Sequence, residues 1–199
     1  MKQWMLLIGI LLIVLPLSAA DKKDKPEKNP IRPALLVIDI QNQYLPYMEE
    51  RDKSLGLEMI NGAIFLFREK GFPVIRVHHT DLQWGPEIDS DGFKFPESVL
   101  VSENDPLIVK HYPSAFKKTE LDSLLKSLDV NTVYLTGLSA VGCVLATYFG
   151  AGDLDYNAFM VRDAIMSHDA ELTDFVEKAF DIVTWEGLKI VLDSANYGK

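Results

Sequence analysis

The chain has 199 residues, 48% of them hydrophobic and 25% charged, which suits about one globular domain with a sizeable core. The formal net charge of −9 argues against nucleic acid or an anionic membrane surface as a partner. There is one cysteine, Cys143, so no disulfide can form within the chain.

The first twenty residues read as a secretory signal peptide, residues 1–20. Lys2 supplies a positive start, Trp4 to Leu15 is apolar throughout apart from Gly9, and Ser18-Ala19-Ala20 ends in small residues. The apolar stretch is shorter than the roughly 20 residues of a spanning helix, so cleavage with no stable membrane span afterwards is expected, and a periplasmic or secreted location with it. Residues 21–33 are charged and carry Pro26, Pro30 and Pro33, the composition of a flexible linker. The folded domain is expected over 34–199.

Ala34–Ile38 is an apolar run of strand length, as expected of a strand covered on both faces. Leu55, Met59, Ile60, Ala63, Ile64 and Phe67 recur at helical spacing, and Gly71 follows as a stop. Pro73–Val77 is the second strand. Thr80 to Asp105 is long and rich in Gly, Pro and Asp, which marks it as a functional lid or pocket wall. Leu107–Val109 is a third strand, Leu121–Leu128 a helix, and Thr132–Thr136 a fourth strand. Cys143 follows, then a helix ending near Gly152. Asn157–Val161, the amphipathic stretch Asp169–Phe180, Ile182–Trp185 and Leu188–Leu192 complete the pattern. Strand–helix alternation throughout predicts an α/β fold: a three-layer, Rossmann-like α/β/α domain around a mostly parallel sheet of about six strands.

In such a sheet, ligands bind beyond the carboxyl ends of the strands. Asp39, Lys110 and Cys143 each follow a strand, and a carboxylate, an ammonium and a thiol together suit nucleophilic acyl chemistry. The lysine charge and the start of the helix after Cys143 are expected to favour the thiolate. Singly, each residue has a structural alternative: a turn, a solvated lysine or a small buried hydrophobe.

Val37-Ile38-Asp39-Ile40-Gln41, with Tyr44 nearby, then Val109-Lys110, and then Thr136-Gly137 spaced six residues before Cys143, resemble the isochorismatase-like cysteine hydrolases. The resemblance runs from about Ala34 to Leu192. It implies a Cys–Asp–Lys triad: Cys143 as nucleophile, Asp39 as general base and then acid, and Lys110 as electrostatic partner. It also implies a cis peptide at Leu138–Ser139, an oxyanion hole from the backbone N–H groups of Ser139 and Cys143, and a homo-oligomer. The implied activity is cleavage of a C–N bond in a small amide, carbamoyl or ureido compound through a thioester. A vinyl-ether hydrolase and a non-catalytic binding protein on the same fold stand as alternatives.

Nicotinamidases of this family hold a metal through Asp-x-His. Here Gln83 stands where that histidine is expected, so neither metal nor cofactor is expected, although His78, His79 and Asp81 leave a weak metal site open. Tyr44, Trp84, Tyr112 and Phe116 are the main candidate pocket residues, with Tyr47, Phe93 and Phe95 as further ones. Arg162 and His168 also follow a strand and carry no assigned role.

Overall fold

Both faces of the first strand are covered, which is why its sequence is apolar without interruption. In the computed structural model, which describes residues 30–196 apart from Leu82 and Trp84, β1 (Pro33–Ile38) is buried along its whole length. Residues 1–20 and most of the linker lie outside the described residues. Side chains alternate across a strand, so Leu35 and Val37 enter one core and Ala34, Leu36 and Ile38 the other. The first core is closed by α1 (Glu50–Glu69) and α5 (Trp185–Asn196) through Ile60, Ile64, Phe67, Leu188 and Leu192. The second is closed by α2 (Leu121–Ser127), α3 (Leu145–Gly152) and α4 (Ala170–Ala179) through Leu121, Leu125, Ala151 and Val176. Each fully buried Leu or Ile contributes about 1.5–3 kcal/mol relative to exposure. The result is the three-layer α/β/α arrangement.

The other strands are β2 (Val74–His79), β3 (Leu107–Lys110), β4 (Thr132–Leu138), β5 (Asn157–Met166) and β6 (Ile182–Val183). They form one six-stranded sheet in the order β3-β2-β1-β4-β5-β6, and every pairing is parallel. The order reverses between β1 and β4, and the carboxyl ends of these two strands flank the crevice that such a reversal opens.

Several boundaries differ from the sequence expectation: β1 takes in Pro33, α1 opens at Glu50, and β2 and β4 run on to His79 and Leu138. β5 runs on to Met166, because an irregularity lets Met160 pair with Leu135 and Ile165 with Gly137. Asp163, at φ 60°, makes the bend, and its N–H donates to Glu177 Oε1 at 2.7 Å. Trp185 opens α5 instead of closing the last strand. Among the described residues no helix is long and apolar enough to cross a membrane.

Candidate active site

Asp39 leaves β1 with φ 56°, a left-handed conformation that Asp tolerates better than most side chains. Its backbone N–H still bonds Val77 O at 2.8 Å, so the last turn of β1 stays tied to β2 while the carboxylate turns over the sheet edge. Lys110 ends β3, two strands away. At about 4.8 Å per strand this is a separation of about 10 Å, and only a long side chain can cross it. Lys110 does so wholly buried, with 0% exposure. Its Nζ donates to Asp39 Oδ2 at 2.8 Å and to Cys143 Sγ at 3.1 Å.

Cys143 belongs to an irregular turn, Ala140–Val144, between β4 and α3. Gly142 inside it is non-helical at φ −115°, ψ −109°, and the Leu138–Ser139 peptide just before it is cis. Thr147 Oγ1 donates to Cys143 O at 2.7 Å and itself accepts from Ala115 N–H at 3.0 Å, fixing the turn against the segment after β3.

The structure thus brings Asp39, Lys110 and Cys143 together. It adds a residue to which the sequence reading gave no role in the chemistry. His79 ends β2, the strand between β1 and β3, and its Nδ1 stands 3.1 Å from Lys110 Nζ. Nε2 faces Asp81 Oδ2 at 3.0 Å. An ammonium can only donate, so Nδ1 is the accepting nitrogen and Nε2–H points to Asp81. Gln41, of the Asp-x-Gln stretch, holds the backbone of His79 from both sides, accepting from its N–H at 2.7 Å and donating to its carbonyl at 3.1 Å. The pairing of parallel strands could have suggested this contact, but only once β2 was known to lie between β1 and β3.

Ligand atoms of Asp39, His79 and Cys143 lie within 4.8 Å of one another, a spacing that suits a metal ion. These are the three groups already gathered around the Lys110 ammonium, so a divalent ion there would have to displace a buried positive charge. The site left open at His78, His79 and Asp81 does not assemble. His78 turns to the opposite face, its ring between Phe95 (centroids 4.1 Å apart) and Phe93 (4.8 Å). Burial lowers its pKa to about 4.

Electrostatics act on the thiol in both directions, with Lys110 lowering its pKa as the sequence suggested. Burial, and then the Asp39 carboxylate, push the Cys143 thiol up to about 12 against the opposing effect of Lys110. Burial and Asp39 thus favour the protonated thiol, and Lys110 favours the thiolate. Burial also raises Asp39, with Lys110 opposing it. Asp39 also interacts with the Cys143 thiol, and its buried Oδ1 has a lone pair free for the thiol proton. A base of raised pKa beside a buried thiol suits proton transfer on demand.

A cavity of about 190 Å³ opens over Cys143, walled by Tyr44, Tyr47, Met48 and Leu138, with Asp39, His79 and Ser139 also reaching it. The remaining pocket candidates that the structure describes lie elsewhere. Phe116 stacks on Tyr156 at 5.7 Å and packs against the core on the α2–α3–α4 face, because the chain after β3 folds back over that face. Phe93 and Phe95 enclose His78. Tyr112 lines a separate cavity with Asp81 and Glu87 and lies beneath Lys117 Nζ, 4.4 Å from its ring centroid. Trp84 lies outside the described residues. Arg162 is bound to Glu177 at 3.1 Å, away from the site.

Comparison with known proteins follows the same lines. Residues 33–186 match the isochorismatase domain family. An uncharacterised isochorismatase family protein of Bacillus subtilis, YrdC, is 31% identical over 136 residues, covering 66% of this chain and 72% of that protein. Maleamate amidohydrolase of Pseudomonas putida is 28% identical over 180 residues, covering 77% and 83%. The crystal structure of N-carbamoylsarcosine amidase from Thermoplasma acidophilum superposes with a TM-score of 0.66 at 27% identity, covering 77% of this chain and 95% of the other.

Proposed function

We propose that this chain, which belongs to the isochorismatase family, is a cysteine hydrolase that cleaves the C–N bond of a small amide, carbamoyl or ureido compound. The observation that carries the reading is the buried Lys110 ammonium bonded to Asp39 and Cys143 together. Similarity to proteins named as an amidohydrolase and an amidase supports C–N cleavage over vinyl-ether cleavage.

In this reading Asp39 Oδ1 takes the thiol proton as Sγ attacks the carbonyl carbon. Lys110 balances the negative charge passing between sulfur and carboxylate, and so keeps both ionised states within reach. The backbone N–H groups of Ser139 and Cys143 receive the developing oxyanion, each such donor contributing about 3 kcal/mol to the transition state. Collapse expels ammonia or an amine, which carries off the proton from Asp39 and leaves a thioester. Water, deprotonated by the same carboxylate, then releases the acid and the thiol.

Ammonia release from a panel of small amide, carbamoyl and ureido compounds tests the proposal. Cys143→Ala should lower turnover by at least about 10³-fold, as expected for a covalent nucleophile. A fully active Cys143→Ala chain would end it. We also read the chain as an exported homo-oligomer. Recovery of a mature chain beginning at Asp21 tests the export, and light scattering tests the assembly.

A further inference from the structure

We propose that the cavity over Cys143 takes a small uncharged carboxamide with an apolar acyl group and discriminates against amides that also carry a carboxylate. This deepens the hydrolase reading and rests on it. The volume of about 190 Å³ indicates the size of the group held against Cys143. An apolar cavity of about 150 Å³ holds a benzene-sized molecule, so the acyl group is of that order. Tyr44, Tyr47, Met48 and Leu138 offer it an apolar wall.

Charge sets the class. Arg and Lys are the side chains that most often recognise carboxylates. No Arg or Lys is among the described residues lining this cavity. Lys110 lies just beneath, but it is fully buried, and its three N–H groups are taken by Asp39, Cys143 and His79. A carboxylate entering the cavity would meet no free cation and would face the Asp39 carboxylate. An uncharged amide meets no such repulsion.

The test uses two ligands of nearly equal shape, 4-methylpentanamide and succinamate, in which an isopropyl group and a carboxylate exchange places. Calorimetry on the full chain carrying Cys143→Ala should show the neutral amide binding at least about tenfold more tightly. Equal affinity, the reverse order, or no binding of either at millimolar concentration overturns the proposal. Protection of Cys143 from iodoacetamide in the unaltered chain should give the same order. Tyr47→Arg, at a position 71% exposed on the rim, should raise succinamate affinity about tenfold; no gain counts against charge as the discriminator. Ammonia release by the unaltered chain separates the two ideas. Selective binding without turnover sinks the hydrolase and leaves the selectivity. Turnover that prefers succinamate does the reverse.

Discussion

An ammonium carries three N–H groups, and around Lys110 there are three acceptors: a carboxylate, a thiol sulfur and an imidazole nitrogen. Removing any one acceptor changes what the other two experience. Asp39 raises the thiol pKa, whereas Lys110 lowers it. In Asp39→Asn the raising charge is gone and the ammonium remains, so the thiol pKa should fall from about 12. Alkylation of the single cysteine at neutral pH should then become faster than in the unaltered chain. Hydrolysis should move the other way, falling by about 10²–10⁴-fold, because no group is left to carry the proton. Stopped-flow alkylation and ammonia release on one sample check both signs. A variant that lost reactivity and turnover together would contradict the assigned roles. Asp39, Lys110 and Cys143 were legible in the sequence, since each follows a strand-like run. The upward push on the thiol pKa was not, because it depends on burial and on the distance to a residue 104 positions earlier.

At the scale of the element, the ends of β1 and β4 must meet closely for the site to exist. Ile38 pairs with Gly137. Gly137 stands at φ 113°, and a Cβ built there would lie 2.0 Å from Ile38 O. Only glycine permits this approach. Gly137→Ala should destabilise the fold by at least about 3 kcal/mol through combined strain and clash, readable as a lowered urea midpoint. Any folded fraction should have Asp39 and Cys143 pushed apart and little activity. The Thr136-Gly137 stretch was visible in the sequence as part of a motif, but its steric reason was not. The extended β5 was missed for a related cause. Its bend at Asp163 is held by Glu177 on α4, a contact that no local periodicity encodes.

At the scale of the whole molecule, the segment after β2 is tied to the sheet through His78, 6% exposed between Phe93 and Phe95. Burial lowers its pKa from 6.5 to about 4. The unfolded chain therefore binds more protons between these values. Stability from this group is complete above pH 6.5 and is lost as the pH falls through the window, by up to ~3 kcal/mol. Thermal melts at several pH values should show this slope in the unaltered chain and a shallower one in His78→Leu, the difference isolating the histidine from other titrating groups.

Local sequence was sufficient for the alternation of strands and helices, the double-sided burial of β1, and the three reactive side chains at strand ends. Each of these is imprinted within a few neighbouring residues as periodicity or turn chemistry. Strand order is not. It arises from pairings between segments far apart in the chain, and it alone sets β2 between β1 and β3, carrying His79 to the Lys110 ammonium and His78 to the opposite face. Tertiary packing likewise decided which aromatic residues line the cavity and which merely fill the core, because that depends on where a loop folds back and not on its composition.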